Sequence, residues 1–234
     1  MEELWRAHCA AMAEFGFGRL MYGQTQSRSR AHLGSRDDFL ILTNLEEGYT
    51  DTFVNDGLYL NAPMVRWAVE NSGACSWNWI RDHAESLTRA ETEVMTFNLK
   101  HGIKAGYSIS FNDVSVRSIA AIALIADEGL SQADVDALWE RKGREITAMN
   151  NVAHLKIMNL PYPNPRKMLT PRQRETLEWV GEGKTTQDIG TIMGLTPATV
   201  EKHLRLARET LDVETTAQAV LKASFQNQIF LVQA

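Results

Sequence analysis

The segment Leu160–Lys167, with the sequence LPYPNPRK, constrains the fold of this chain more than any other feature. Its three prolines, Pro161, Pro163 and Pro165, exclude a helix and favour extended backbone. Helix-like and strand-like periodicities both precede this segment, whereas only helix-like periodicity follows it. We therefore predict a linker at residues 161–168, between a first domain at 1–160 and a second domain at 169–234.

Composition and charge exclude several classes of protein. Apolar residues make up 44% of the 234 residues, which is typical of a globular chain and argues against disorder. The longest apolar run, Ile119–Ala126, is far shorter than the roughly 20 residues that cross a bilayer. No secretory signal opens the chain, and Cys9 and Cys75 are too far apart to suggest a disulfide framework or a zinc site. These features predict a cytoplasmic protein without a membrane span.

Residues upstream of the prolines alternate between helical and strand patterns. The run Ile119–Ala126 is apolar on both faces, which is typical of a strand covered on both sides. We therefore predict a sheet sandwiched by helices, although the sequence does not reveal the strand order. The predicted helices are Glu2–Glu14, Ala62–Asn71, Arg89–Lys100 and Ser131–Asn159, and the predicted strands are Arg19–Gly23, Asp38–Thr43, Gly106–Phe111 and Ile119–Ala126.

The C-terminal segment has the signals of four short helices. Thr170 and Gln173 form a capping-box pattern, and Thr196 with Pro197 gives a second cap-plus-proline start. Gly194 predicts a tight turn between the second and third helices, and two helices joined in this way are typical of a helix-turn-helix unit. Ile189, Ile192 and Met193 are predicted to face inward from the second helix.

The third helix of this unit has one apolar face and one charged face. In a helix-turn-helix unit this helix can lie in the major groove, where Lys and Arg donate to guanine and Glu accepts from cytosine. Residues 166–234 carry nine of the basic and eight of the acidic residues, against 24 and 29 in the whole chain, so this end is the better suited to phosphate. A plain helical domain with a solvated charged face is the alternative. The candidate DNA-binding residues are Lys184, Thr199, Glu201, Lys202, Arg205 and Arg208.

This segment closely resembles the C-terminal DNA-binding domain of LuxR-type regulators. The matching pieces are Leu169-Thr170, Glu182-Gly183-Lys184, Thr199-Val200, His203-Leu204 and Leu211–Val213. Gln173 stands where the family usually has Glu, and it still serves a capping box. The resemblance implies a homodimer that forms through the fourth helix, Thr216–Asn227.

The region Tyr49–Trp79 resembles the acyl-homoserine-lactone pocket of quorum-sensing members of that family. The family pattern has a Trp, an aromatic residue, an Asp-Pro pair and a second Trp at fixed intervals. This chain keeps those intervals with Tyr49, Phe53, Ala62-Pro63 and Trp77, and Gly106 matches a later glycine of the family. A phosphorylated receiver, the other common sensor, does not fit, since the first predicted element is a helix and the acidic pair Asp37-Asp38 precedes a strand.

The departures from this pattern affect the ligand chemistry that the resemblance implies. Ala62 cannot accept the amide N–H of an acyl-homoserine lactone as the family's aspartate does, and a buried donor without a partner costs about 1–3 kcal/mol. Phe53 lacks the hydroxyl that meets the acyl carbonyl, and Tyr49 replaces an indole donor. Ordinary core packing is the alternative for any one of the aromatic residues. The candidate ligand-binding residues are Tyr49, Phe53, Tyr59, Ala62, Trp67 and Trp77, with Ser110 and Ser118 as replacement donors.

The predicted fold class is α+β, with an N-terminal α/β/α sandwich built on an antiparallel sheet and an all-α four-helix helix-turn-helix domain. The predicted function is that of a ligand-responsive transcriptional regulator, with double-stranded DNA, a second copy of the chain and RNA polymerase as candidate partners. We expect a small-molecule signal, homoserine-lactone-like or aromatic, and no other cofactor.

Several alternatives stay open at this point. The lost aspartate favours an aryl or non-lactone signal over an ordinary acyl-homoserine lactone held by rearranged donors. A ligand-free member, whose own aromatic residues fill the pocket, and a partner that titrates other regulators are further alternatives. An enzyme is not expected, because GxSxG, HExxH, GxGxxG and Walker-type motifs are absent and the six histidines lack metal-ligand spacing.

Overall fold

The computed structural model describes residues 1–25, 39–111, 118–160 and 168–230. The chain divides into two compact units, Glu2–Met158 and a second unit that begins at Asn159. Residues 161–167 of the predicted linker and the acidic pair at 37–38 lie outside the described ranges. Within those ranges, no helix is long and apolar enough to cross a lipid bilayer.

The first unit contains five strands and six α-helices within its described ranges. The strands are β1 (Arg19–Thr25), β2 (Phe39–Thr43), β3 (Gly73–Ser76), β4 (Gly106–Phe111) and β5 (Ile119–Ile125). The helices are α1 (Glu2–Ala13), α2 (Glu47–Thr50), α3 (Pro63–Glu70), α4 (Asn78–Asp82), α5 (Arg89–Lys100) and α6 (Gln132–Met158).

The five strands form one antiparallel sheet in the order β2-β1-β5-β4-β3. This arrangement confirms the predicted antiparallel sheet and supplies the strand order that the sequence did not. The edge strand β3 was not predicted, because its four residues, GACS, are too few and too small to show an alternating pattern.

Contacts of β4 show that helices cover both faces of the sheet. The Tyr107 ring stacks on Trp139 of α6, with 3.8 Å between ring centroids. The Ser110 hydroxyl donates instead to the backbone carbonyl of Ala68 on α3, at 2.7 Å. Because successive strand residues point to opposite faces, α6 lies on one face and α3 on the other. The predicted α/β/α sandwich is therefore confirmed.

The second unit is helical over its described residues, with α7 (Pro171–Gly181), α8 (Thr186–Met193), α9 (Pro197–Leu211) and α10 (Thr216–Phe225). Capping boxes begin three of the helices at Thr170, Thr185 and Thr215, and the Thr196 side chain caps α9. These bonds supply partners for amide groups that a helix start leaves unpaired. The predicted all-α helix-turn-helix domain is therefore confirmed.

One predicted core position in this unit is wrong. Ile189 is fully buried and Met193 packs against the same core, but 47% of Ile192 is exposed. The buried stripe of α8 runs from Ile189 to Met193, one helical turn apart, and includes Gly190. Ile192 lies on the other side of Ile189 around the helix, and thus outside that stripe.

Candidate ligand cavity and DNA-binding surface

The first unit encloses a cavity of about 460 Å³ between the sheet and the helices on its α3 face. This volume lies within the range of about 300–1,000 Å³ that small-molecule sites usually have. Most of the lining side chains are aliphatic or aromatic, and they come from strands β1, β2 and β5 and from helices α3 and α5. Five of the predicted ligand residues line the cavity: Tyr49, Phe53, Tyr59, Ala62 and Trp77.

The other three predicted ligand residues are not on the cavity wall. Trp67 is buried in α3 without lining the cavity. Ser110 shares a face of β4 with the cavity, but its hydroxyl is used by the carbonyl of Ala68. Ser118 also lies off the wall. The structure therefore does not bring these three residues together with the other five.

Tyr49 is held by aromatic stacking against two phenylalanine rings. Its ring centroid lies 5.2 Å from those of Phe53 and Phe97, with both pairs stacked. Its hydroxyl donates a hydrogen bond of 2.9 Å to Oδ1 of Asn98. Burial raises the pKa of the Tyr49 phenol, against a smaller opposing effect of the Arg19 charge, so the hydroxyl stays a neutral donor.

The chain supports this aromatic cluster with an unusual turn. Helix α2 continues directly into a π-helical turn, Asp51–Asn55, which carries Phe53. Such turns are rare in proteins, and those that occur are often found at functional sites. Phe53 follows Tyr49 by four residues, about one turn, and the two rings stack at the cavity wall.

Trp77 closes the cavity against strand β4. Its indole Nε1 donates to Oγ of Ser108 at 3.0 Å, and its backbone N–H donates to the carbonyl of Gly106 at 3.2 Å. A Cβ on Gly106 would lie 3.0 Å from the Trp77 ring and 2.3 Å from the carbonyl oxygen of Leu124. Only glycine leaves room for the indole and the neighbouring strand at this point.

Ala62 stands at the position where the family pattern has an aspartate, and its side chain is only a methyl group. The residue is buried, with 6% of its surface exposed, and it lies on the cavity wall directly before Pro63. None of the described residues that line the cavity is an Asp or a Glu. The described wall therefore offers no carboxylate to an amide donor.

Helices α8 and α9 of the second unit form a helix-turn-helix. Gly194 ends α8 in the left-handed conformation, with a φ of 67°, and the N–H of Leu195 bonds to the carbonyl of Gly190 at 2.8 Å. This tight turn is followed at once by the Thr196 cap of α9. A Cβ on Gly190 would lie 2.8 Å from the Leu195 carbonyl, so the close turn also depends on glycine here.

The predicted DNA-binding residues fall into two groups. Four of them are exposed: Lys184, Glu201, Lys202 and Arg205. The Arg205 side chain forms an ion pair with Glu209, one turn further along α9.

Thr199 and Arg208 are held by contacts inside the second unit. The Thr199 hydroxyl bonds to that of Thr196 at 2.9 Å, and Arg208 donates to the Thr216 hydroxyl at 2.8 Å. Arg208 therefore joins α9 to α10 and is only half exposed. The two side chains are less open to a DNA surface than the other four.

Comparison with known protein families matches both units. The family described as "Autoinducer binding domain" matches residues 1–157, and "Bacterial regulatory proteins, luxR family" matches residues 167–223. The chain belongs to the autoinducer-binding LuxR family of bacterial transcriptional regulators. This family consists of DNA-binding regulators and not of enzymes, which confirms the predicted class and the family resemblance.

Individual relatives of this LuxR-family regulator include quorum-sensing proteins. It is 34% identical over 203 residues to the HTH-type quorum sensing-dependent transcriptional regulator RpaR of Rhodopseudomonas palustris, across 82% of this chain and 78% of RpaR. It is 21% identical over 193 residues to the transcriptional activator CarR of Pectobacterium carotovorum, across 78% and 77% of the two chains. The crystal structure of Escherichia coli SdiA has the same fold, with a TM-score of 0.54, 14% identity and coverage of 97% and 91%.

The cavity of this LuxR-family regulator also contains polar residues that sequence reasoning missed. Asn98 and Ser108 line it and bond to Tyr49 and Trp77. The alternation of GYSISF put Ser108 and Ser110 on the same face of β4, and only their neighbours decide which one reaches the cavity. Asn98 had no distinguishing signal, since a polar residue in an amphipathic helix is usually solvated.

Proposed function

We propose that this LuxR-family regulator senses an aryl or non-lactone signal in the cavity of its first unit and binds DNA as a dimer in response. The observation that carries this proposal is the methyl group of Ala62 on the cavity wall, together with the lack of any Asp or Glu among the described lining residues. An acyl-homoserine lactone would bury its amide N–H there without a carboxylate. The cost of about 1–3 kcal/mol corresponds to roughly one or two powers of ten in affinity.

An ordinary acyl-homoserine-lactone receptor with rearranged contacts is the second candidate. It would require another acceptor for the ligand amide, and Oδ1 of Asn98, which already accepts from Tyr49 at 2.9 Å, would have to accept through its second lone pair. A ligand-free regulator, whose own aromatic residues fill the pocket, is disfavoured by the open volume of about 460 Å³. These observations support a site that still receives a small molecule.

Dimeric DNA binding is supported by an exposed apolar surface on α10. Leu221 and Phe225, four residues apart, are exposed over 52% and 49% of their surfaces. A helix presenting such residues on one side is suited to pairing with its own copy. As a DNA-binding regulator, the protein would act in the bacterial cytoplasm, with RNA polymerase as its candidate partner at a promoter.

The substitution Ala62→Asp tests the proposed ligand class. In a reporter assay, we expect the unchanged protein to ignore common acyl-homoserine lactones at nanomolar concentrations, and Ala62→Asp to respond about tenfold better because the carboxylate accepts the ligand amide. Ala62→Leu is the matched control, since it has a similar size and no acceptor. A nanomolar response of the unchanged protein to a simple acyl-homoserine lactone would contradict the proposal.

A further inference from the structure

The cavity wall carries two cationic side chains, Arg81 and Lys104, and no acidic side chain among the described residues. Arg81 lies in the last turn of α4, and Lys104 lies in the short segment that leads into β4. Both residues are exposed. Neither side chain makes an ion pair or a hydrogen bond to another residue in the described ranges.

A backbone hydrogen bond of Trp77 joins the two chain segments that carry Arg81 and Lys104. The N–H of Trp77 bonds to the carbonyl of Gly106, which joins the start of α4 to the start of β4. Arg81 follows Trp77 by four residues, or about 6 Å of helix. Lys104 precedes Gly106 by two residues, at most about 7 Å of extended chain. Both residues therefore follow or precede this junction by only a few residues, and both are exposed residues of the cavity wall.

Two polar side chains of the cavity, Ser108 and Asn98, have hydrogens that they can donate to a ligand. Ser108 accepts from the Trp77 indole, which leaves its own hydroxyl hydrogen for another acceptor. Asn98 accepts from Tyr49 through Oδ1, which leaves its amide hydrogens for a ligand. The rest of the wall is largely apolar. This arrangement suits an apolar body whose polar atoms are oxygens.

We propose that the cavity binds an amphipathic acid, with an alkyl or aryl body and one carboxylate that faces Arg81 and Lys104. The inference rests on the proposed function, because it names the chemical class of the non-lactone signal. Charge-assisted bonds from a guanidinium or an ammonium to a carboxylate are stronger than bonds between neutral groups. At an exposed end of the cavity the carboxylate keeps much of its hydration, so the desolvation cost stays small.

Binding of matched acids and amides to the full chain tests this inference. Calorimetry and thermal-shift measurements at neutral pH compare decanoate and 4-phenylbutanoate with decanamide and 4-phenylbutanamide. We expect each acid to bind about tenfold more tightly than its amide, which corresponds to two exposed ion pairs. The advantage of the acids should shrink as salt rises from about 50 mM to about 500 mM, because exposed charges are screened.

Single substitutions identify the charges responsible. Arg81→Gln and Lys104→Gln should each weaken acid binding about three- to fivefold and leave amide binding unchanged. Arg141→Gln and Lys156→Gln are the matched controls, since they remove the same charges from exposed positions on α6, across the sheet. Melting curves without ligand establish that each variant is folded, and the comparison of acids with amides on the unchanged protein needs no variant.

Three outcomes would overturn the inference: neither acid binds, the acids bind no more tightly than their amides, or the α6 variants weaken acid binding as much as the cavity variants. None of these outcomes depends on the response to acyl-homoserine lactones. If a neutral aryl molecule binds while neither acid does, the acid inference fails and the proposed function stays intact. A nanomolar response to simple lactones would remove the proposed function by itself.

Discussion

Gly106 has no side chain at the point where the Trp77 ring and strand β5 come closest. A Cβ there would clash with the carbonyl oxygen of Leu124 at 2.3 Å, which is backbone and cannot rotate away. The same residue accepts from the Trp77 amide and exchanges hydrogen bonds with the Gln132 side chain. The position of Trp77 in the cavity wall therefore depends on a glycine at position 106.

Gly106→Ala should lower the free energy of unfolding by about 1–3 kcal/mol, because the added methyl group overpacks a filled site. Gly23→Ala in β1 is the matched control: its Cβ would lie at an ordinary 3.5 Å from Cδ1 of Ile41. Urea denaturation of the two variants measures the difference. Equal stabilities would show that the sheet relaxes around Gly106 without cost.

At the scale of elements, Asp136 fastens helix α6 to the region around β3 and α4. Its carboxylate accepts from Ser76 at 2.7 Å, Gln132 at 3.0 Å and Asn78 at 2.5 Å. Burial alone would raise the pKa of Asp136, but these bonds and one from Tyr107 together hold it below its ordinary value. A lowered pKa means that the folded state favours the charged form.

The charge of Asp136 should contribute stability above the pKa of an unfolded aspartate, about 3.9, and lose it as the pH falls through the lower folded value. Asp136→Asn should therefore lower the free energy of unfolding by about 1–2 kcal/mol at pH 7. The difference in unfolding free energy between the variant and the unchanged protein should shrink as the pH falls below about 3.9. Chemical denaturation across this pH range measures the stability difference. Glu140→Gln, which changes an exposed acid on the same helix, is the control. A difference independent of pH would contradict the role of the charge.

For the whole molecule, we expect the exposed charges of the second unit to contact DNA and the exposed face of α10 to form the dimer. In a two-fold dimer, two α9 helices one turn apart, about 34–36 Å, would read an inverted repeat of roughly 20 base pairs. Lys202 is exposed on α9, and Lys184 precedes α8. We expect Lys202 to contact base edges and Lys184 to contact phosphate.

Lys202→Ala should weaken the free energy of binding to the best DNA site by about 1–3 kcal/mol. It should also reduce the preference for one base at one position of each half-site. Lys184→Ala should weaken binding to all sequences alike and reduce the salt dependence. Footprinting and salt titrations measure both effects, with Arg141→Ala on α6 as the control charge. An asymmetric footprint of one half-site would contradict the dimer, and an unchanged salt slope would contradict the role of Lys184.

Features whose signals are local could be predicted from neighbouring residues alone. The helix starts of the second unit depend on bonds between residues three apart, such as Thr170 and Gln173, so nearby residues suffice to predict them. The spacing of Tyr49, Phe53, Ala62 and Trp77 was readable through the family pattern, and all four line the cavity. The functional class followed from the same patterns.

Contacts between side chains that are distant in sequence could be identified only from the folded chain. Strand order, the short edge strand β3 and the choice of Ser108 over Ser110 depend on partners far away in sequence. The sequence pattern predicted Arg208 as part of a charged helix face, whereas in the structure it donates to Thr216 on α10. Arg81 and Lys104 have no shared motif, since 23 positions separate them and the backbone bond from Trp77 to Gly106 brings their segments together. Local patterns specify elements, whereas these contacts arise only when the elements pack.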